Sequence, residues 1–461
     1  MFRRIAIIGG GAAAATLLSE LLERRPAQPL HLDWYTGGGD ACARGVAYGT
    51  TSERHLLNVR AASMSMFAGK PRGFLDFVQR DDPAIAGTDF LPRRRYGDYL
   101  EAEVARALQQ GEAHGHDVNV VPFAVDALVP EHDGVTVIHG EESRRADAAV
   151  LALGALPPQP LPGVSAAALD SGRYVVDPWG LLADRDAWPQ PPRKVVLIGL
   201  GLTAVDVLLE LSARWPQTTF TAISRHGLLP EAHLHAAAAP ADDGAGLVEA
   251  MRDTPEIRHW LHLLREAIAQ EGNAWRAVVD SLRPHSSGLW AELPLEQRAR
   301  FLRHARWAWE RVRHRMPPQV RDVLTALEQD GRLQRRRGRM RSVELAGDGV
   351  LLQLDHAGRA DTLAADLVIQ TVGLNTDVRR TRHRLVSQLL TNAHIAPDPL
   401  GLGVLADRDG HLQRHGADAG PTHWPHLFAI GSLLRGTLWE STAMPEIRQQ
   451  ARHLADQLLS D

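Results

Sequence analysis

Two short glycine strings carry the clearest chemistry in this 461-residue chain. Gly9-Gly10-Gly11-Ala12-Ala13-Ala14 has the form G-x-G-x-x-A, and Gly199-Leu200-Gly201-Leu202-Thr203-Ala204 repeats it 190 residues later. In this pattern the first glycine (Gly9, Gly199) permits a tight turn and the second (Gly11, Gly201) lets backbone approach a pyrophosphate. The alanine (Ala14, Ala204) keeps the next helix close to its strand. A helix opening there offers free N–H groups and a partial positive charge to phosphates. The same shift superposes Glu20 on Glu210, so two copies of one dinucleotide-binding unit are predicted.

Specificity for the rest of each dinucleotide should lie at the end of each unit's second strand. In the second unit, a strand over residues 218–223 ends at Ser224-Arg225-His226. A hydroxyl beside a guanidinium suits a 2′-phosphate, because arginine presents a bidentate fork to phosphate oxygens. The competing reading is an exposed surface arginine. In the first unit, over residues 30–36, an acid is expected near the strand end to hold ribose hydroxyls. Asp33 comes early and Tyr35-Thr36 stand in its place, so that acid is missing or displaced.

The elements that must position these residues are legible around them. Apolar runs at 4–8 and 194–198 read as buried parallel strands, and helices follow over 15–22 and through 211. Segments 147–154 and 366–373 read as buried strands ending in Gly154 and Gly373. Leu427-Phe428-Ala429-Ile430-Gly431-Ser432 is another such strand. A C-terminal helix follows it, entered through Trp439-Glu440-Ser441-Thr442-Ala443-Met444-Pro445. Polar backbone at that helix start suits a flavin ring edge or ribityl chain, which nominates Gly431, Glu440, Ser441 and Thr442.

Between His226 and about Arg337 the periodicity turns helical, with five of the eleven tryptophans. One helix is expected from Pro294 to Pro317-Pro318. Its apolar stripe, Phe301, Ala305, Ala308, Val312 and Met316, should face a core. Arg300, Arg303, Arg306, Arg311, Arg313 and Arg315 surround the stripe. They read either as a solvated, salt-bridged face, with Arg306 and Glu310 paired, or as an electropositive wall above an anionic ligand.

Composition narrows the function classes. A formal net charge of -4 argues against nucleic acid as the main partner. Cys42 is the sole cysteine, which excludes an intrachain disulfide or paired-thiol centre and fits a reducing cytoplasm. Arg3 and Arg4 before an apolar run imitate an export signal. The recurrence of that pattern in mid-chain favours strand, turn and helix. No apolar run reaches the roughly 20 residues of a membrane span. No metal site is expected, since His233-x-His235 has no third ligand nearby.

Further motifs complete the picture: Gly45-Val46-Ala47-Tyr48-Gly49-Thr50, His55-Leu56-Leu57-Asn58-Val59, Met64-Ser65 and Arg95-Tyr96-Gly97-Asp98-Tyr99. With the Trp439 block and Phe301-Leu302-Arg303-His304 and Arg313-His314-Arg315-Met316, the chain resembles a bacterial family of FAD/NAD(P)-binding proteins along almost its whole length. Arg60 departs from the proline that pattern has after Asn58, and Ser432 from the aspartate many FAD proteins carry.

The resemblance implies an α/β fold of two Rossmann-like dinucleotide-binding domains with a helical insertion. The FAD domain would comprise residues 1–170 and 345–461. Between them would lie an NAD(P) domain over 171–344, its helical insert at about 230–337, entered through Trp188-Pro189-Gln190-Pro191-Pro192. FAD and NAD(P)H are the implied cofactors. The implied activity is a monooxygenase in which reduced FAD takes up molecular oxygen as a flavin hydroperoxide and hydroxylates a small substrate. Among member types, FAD-dependent urate hydroxylase makes urate, converted to 5-hydroxyisourate, the substrate to test first. His55 and Asn58 would then contact it, unless His55 is a satisfied structural histidine and Asn58 a turn residue. The alternative is a flavin-dependent NAD(P)H:acceptor reductase. No residue bears on oligomeric state.

Overall fold

A computed structural model of the chain describes residues 3–38, 42–186, 188–236, 244–272, 274–414 and 423–460. In chain order the strands are β1 (Arg4–Ile8), β2 (His31–Tyr35), β3 (Asp117–Val121), β4 (Ala127–Pro130), β5 (Val135–His139), β6 (Glu142–Ala146), β7 (Ala148–Leu151) and β8 (Tyr174–Val175). They continue as β9 (Lys194–Ile198), β10 (Thr219–Ser224), β11 (Leu333–Arg337), β12 (Arg339–Ala346), β13 (Gly349–His356), β14 (Arg359–Ala365), β15 (Leu367–Gln370), β16 (His411–Gln413) and β17 (His423–Ala429).

One sheet is ordered β16-β17-β7-β1-β2-β3 and the other β11-β10-β9-β15-β8. Both are parallel except for β16, which runs antiparallel at an edge. After their exposed first residues, Arg4 and Lys194, β1 and β9 are wholly apolar because helices or meanders cover both faces. The helices used below are α1 (Ala12–Glu23), α2 (Gly45–Tyr48), α3 (Arg93–Ala113), α4 (Leu202–Arg214), α5 (Ala245–Asp253) and α6 (Ile257–Gln270). After them come α7 (Trp275–Ser281), α8 (Ser286–Glu292), α9 (Leu295–His304), α10 (Arg306–Arg313), α11 (Pro318–Gln329) and α12 (Met444–Leu459).

The duplication is deeper than the glycines. Asp147 accepts from the N–H groups of Arg3 and Arg4, each at 2.9 Å, and Asp366 from those of Arg193 and Lys194, each at 2.8 Å. One carboxylate thus anchors the start of each central strand. Each sheet also carries an antiparallel meander, β4–β6 on the first and β12–β14 on the second. This is an α/β fold of two Rossmann-like units with a helical insertion.

Two expectations need correction. The return to the first unit does not fall at residue 345: β15 lies between β9 and β8, so the second sheet takes a strand from beyond that boundary. The expected single helix is two, because α9 ends at His304 and α10 begins at Arg306. Ala305 between them has φ -113, outside the helical range.

Candidate functional site

In both sheets the central strand is followed by a neighbour on one side and, later in the chain, by one on the other. β1 stands between β2 and β7, and β9 between β10 and β15. Each glycine turn therefore sits at a topological switch point, where open α/β sheets bind ligands. Gly9 has φ +130 and donates to the Tyr35 carbonyl at 2.8 Å; a Cβ there would lie 2.2 Å from the Ala152 carbonyl oxygen. Gly199 repeats this with φ +116, a 2.8 Å bond to the Ile223 carbonyl, and 2.3 Å to the Thr371 oxygen. Only glycine fits either position.

Gly11 and Gly201 differ from these. Both are extended helix N-caps. A Cβ on Gly201 would meet no atom within 4 Å, and one on Gly11 only the Gly45 Cα at 3.7 Å. The space ahead of α1 and α4 is open, and the first-turn N–H groups there have no partner within the helix. Two pyrophosphates fit these two cradles.

At the end of β10 the Ser224 hydroxyl accepts from the Gly227 N–H at 2.9 Å, leaving its proton to donate. Arg225 is exposed. β11 pairs Arg337 opposite Ser224, and the Arg337 Nε donates to the Arg225 carbonyl. Two cations therefore stand together where one was expected; β11 alone brings Arg337 there. Beside them His226 stacks on Trp307, with centroids 3.9 Å apart. In the first unit Asp33 is not a displaced ribose ligand: it accepts from Asn119 at 2.9 Å and pairs with Arg144.

Gly431 reaches the first cradle: its added Cβ would touch the Ala13 side chain at 3.6 Å, and Ser432 donates to the Gly154 carbonyl. Glu440, Ser441 and Thr442 do not form one cofactor-facing group. Glu440 is buried and turned to the helical insert, 3.3 Å from Arg313. Burial alone would raise its pKa, but His314 and Arg313 outweigh that and hold it at about 2. Ser441 is buried and Thr442 exposed.

The arginine run is likewise mixed. Arg300 and Arg303 are exposed, and Arg306 pairs with Glu310 at 2.9 Å as expected. Arg313 and Arg315, however, are buried against Glu440 and Asp280. Composition carried no signal for that burial.

His55 is buried with both ring nitrogens in hydrogen-bond contact. It is 1% exposed, its Nδ1 lies 2.7 Å from the Thr50 hydroxyl and its Nε2 3.2 Å from the Asp206 carbonyl. Ser52 donates to Glu210 at 2.6 Å, and Arg93 pairs with Asp206 at 2.9 Å. This loop thus clamps the first unit onto α4 of the second. Replacing His55 by alanine should cost about 1–3 kcal/mol, the penalty for unpaired buried polar groups. A lower Tm with an unchanged pH–activity profile is the expected result. Asn58 offers its carbonyl to His233 Nε2 at 3.1 Å, and its half-buried side chain makes no hydrogen bond among the described residues. His233 is thereby committed, and the acidic group Asp407, Asp409 and His411 is internally paired or paired with His453.

Comparison with known proteins shows the fold. A family model described as FAD-NAD(P)-binding matches residues 6–156. No curated protein sequence matches the chain. An ornithine N-hydroxylase from Kutzneria sp. 744, described with reduced FAD, NADP+ and L-ornithine, is similar over 99% of both chains at 16% identity and TM-score 0.66. The L-lysine 6-monooxygenase of Pseudomonas syringae is similar over 99% of both at 18% and 0.66. The ornithine hydroxylase of Pseudomonas aeruginosa is similar over 100% of this chain and 99% of its own at 17% and 0.66.

Proposed function

We propose that this chain is an FAD- and NADPH-dependent monooxygenase acting on a small nucleophilic substrate. The observation that carries the reading is the pair of open cradles at Gly11 and Gly201, each at a switch point and each heading a helix. When bound, FAD supplies the redox and oxygen chemistry and NADPH the reducing equivalents. The chain's own part is to bind and orient. The amides of Ala12–Ala14 and Leu202–Ala204 hold the two pyrophosphates, and Gly431 closes on the first. Ser224, Arg225 and Arg337 hold the 2′-phosphate, and Asn58 is proposed as a substrate contact.

Several structural neighbours are named as ornithine hydroxylases or as lysine or cadaverine monooxygenases, so an amine nitrogen is the acceptor to test first. Urate stays in the screen as a competing substrate. The test measures NADPH oxidation, oxygen uptake and hydroxylated product by mass with each. If peroxide accounts for every electron whatever is added, the monooxygenase reading fails.

NADPH should be preferred to NADH. Arg225→Ala should narrow the preference about 10-fold, and removal of Arg337 as well about 100-fold, as expected for one and two charge-assisted phosphate contacts. Equal use of both nucleotides by the native protein would contradict this.

A further inference from the structure

The apolar stripe meets a core in part, as expected: Ala305 and Phe301 pack with Trp290 and Trp439 in the helical insert, and Met316 is buried in the second unit. Beside that core Phe301, Ala305, Ala308 and Val312 also line a half-open apolar cavity of about 440 Å³ between the helices of the insert and Trp439 from the loop before α12. It is distinct from the two glycine cradles, none of whose residues line it. Its volume falls in the range of small-molecule sites.

The walls are mostly carbon, with the exposed Arg265 and the indoles of Trp275 and Trp439 among the lining residues that carry polar groups. The indole N–H groups of Trp260, Trp290 and Trp309 are all committed, to the Met251 and Thr254 carbonyls, the Gly436 carbonyl and Glu440. Ser286 donates to the Leu282 carbonyl. Glu231 and Arg311, at the lining, neutralise each other. Carbon surface of this kind is poorly wetted, and empty it forgoes the dispersion contacts of a filled core.

We infer that this cavity seats the hydrocarbon-rich, uncharged body of the substrate. An apolar cavity of about 150 Å³ holds one benzene, so this one takes roughly three ring-sized units. A zwitterionic amino acid would strand its charges on such walls. Trp439, which walls the cavity, belongs to the loop after Gly431 and follows it by eight residues in the chain. The assignment of the occupant as substrate rests on the proposed monooxygenase function; the binding claim does not.

The holoprotein is titrated with N-phenyl-1-naphthylamine, an uncharged three-ring fluorophore, and energy transfer from tryptophan is followed. Saturable binding of one probe per chain is expected. Ala308→Trp should weaken it about 10-fold with flavin content unchanged. Leu264→Trp, at a half-buried position on the facing helix α6, should do the same if the first variant folds poorly. Absence of saturable binding, or equal affinity in both variants, overturns the site. Octylamine and biphenylmethylamine should then accelerate NADPH consumption more than lysine or ornithine, and a preference for the amino acids overturns the substrate assignment. Failure of NADPH to reduce the flavin would strike the function itself and leave the titration standing.

Discussion

Gly201→Leu is expected to yield a folded, yellow protein that NADPH reduces at least 100-fold more slowly. The backbone at Gly201 is extended and a Cβ there meets nothing within 4 Å, so leucine costs the apo fold little. The side chain instead enters the space a pyrophosphate needs. Losing several charge-assisted contacts, each worth about 1.5–3 kcal/mol, accounts for two orders of magnitude or more. Gly11→Leu should act on the other cradle and give a colourless but folded protein. Flavin release on denaturation, Tm and stopped-flow reduction separate the two. A Gly11→Leu protein with full flavin, or a Gly201→Leu protein reduced at the native rate, would refute the assignment of that cradle. Gly199→Ala is the control: at φ +116, with the Thr371 oxygen 2.3 Å away, it should damage folding rather than binding selectively.

The second large effect is on stability. Glu440 is buried and paired with Arg313, itself buried and 3.9 Å from Glu446, which also pairs with Arg283 at 2.9 Å. These charges tie the insert to the start of α12. Removing one partner leaves the other buried with only its longer ion-pair contact, Arg313 to Glu446 at 3.9 Å or Glu440 to His314 at 3.7 Å, and breaking a buried pair typically costs about 3 kcal/mol or more. Glu440→Gln and Arg313→Met should each lower Tm by several degrees, and the double variant should recover part of the loss. Full additivity would show that the two residues are not coupled. The pH dependence has a definite sign. Glu440 has a folded pKa of about 2 against an ordinary value of 4.5, so its stabilisation is present above about pH 5 and is lost as pH falls towards 2. Glu440→Gln should flatten the acid limb of the stability curve in that window. An unchanged limb would mean that other carboxylates dominate it.

The two glycine turns, the apolar strands beside them and the repeat that relates them were legible in local sequence. Those signals reside in neighbouring residues: positive φ, buried strand composition and helix opening are all decided within about ten positions. Asp147 and Asp366 show how far the repeat reached unseen, since their role depends on backbone amides 143 or more residues away. Tertiary structure decided the rest. It made His55 a clamp, because both ring nitrogens found partners in the folded state, one of them on α4. It set Arg337 beside Arg225 through the pairing of β11 with β10. It buried Arg313 where the sequence showed only one more basic residue in a run. And it divided the expected stripe between a core, which takes Phe301, Ala305 and Met316, and a half-open cavity along Ala308 and Val312, a choice that helical periodicity cannot make, because the same apolar face serves a packed core and a ligand's wall equally well.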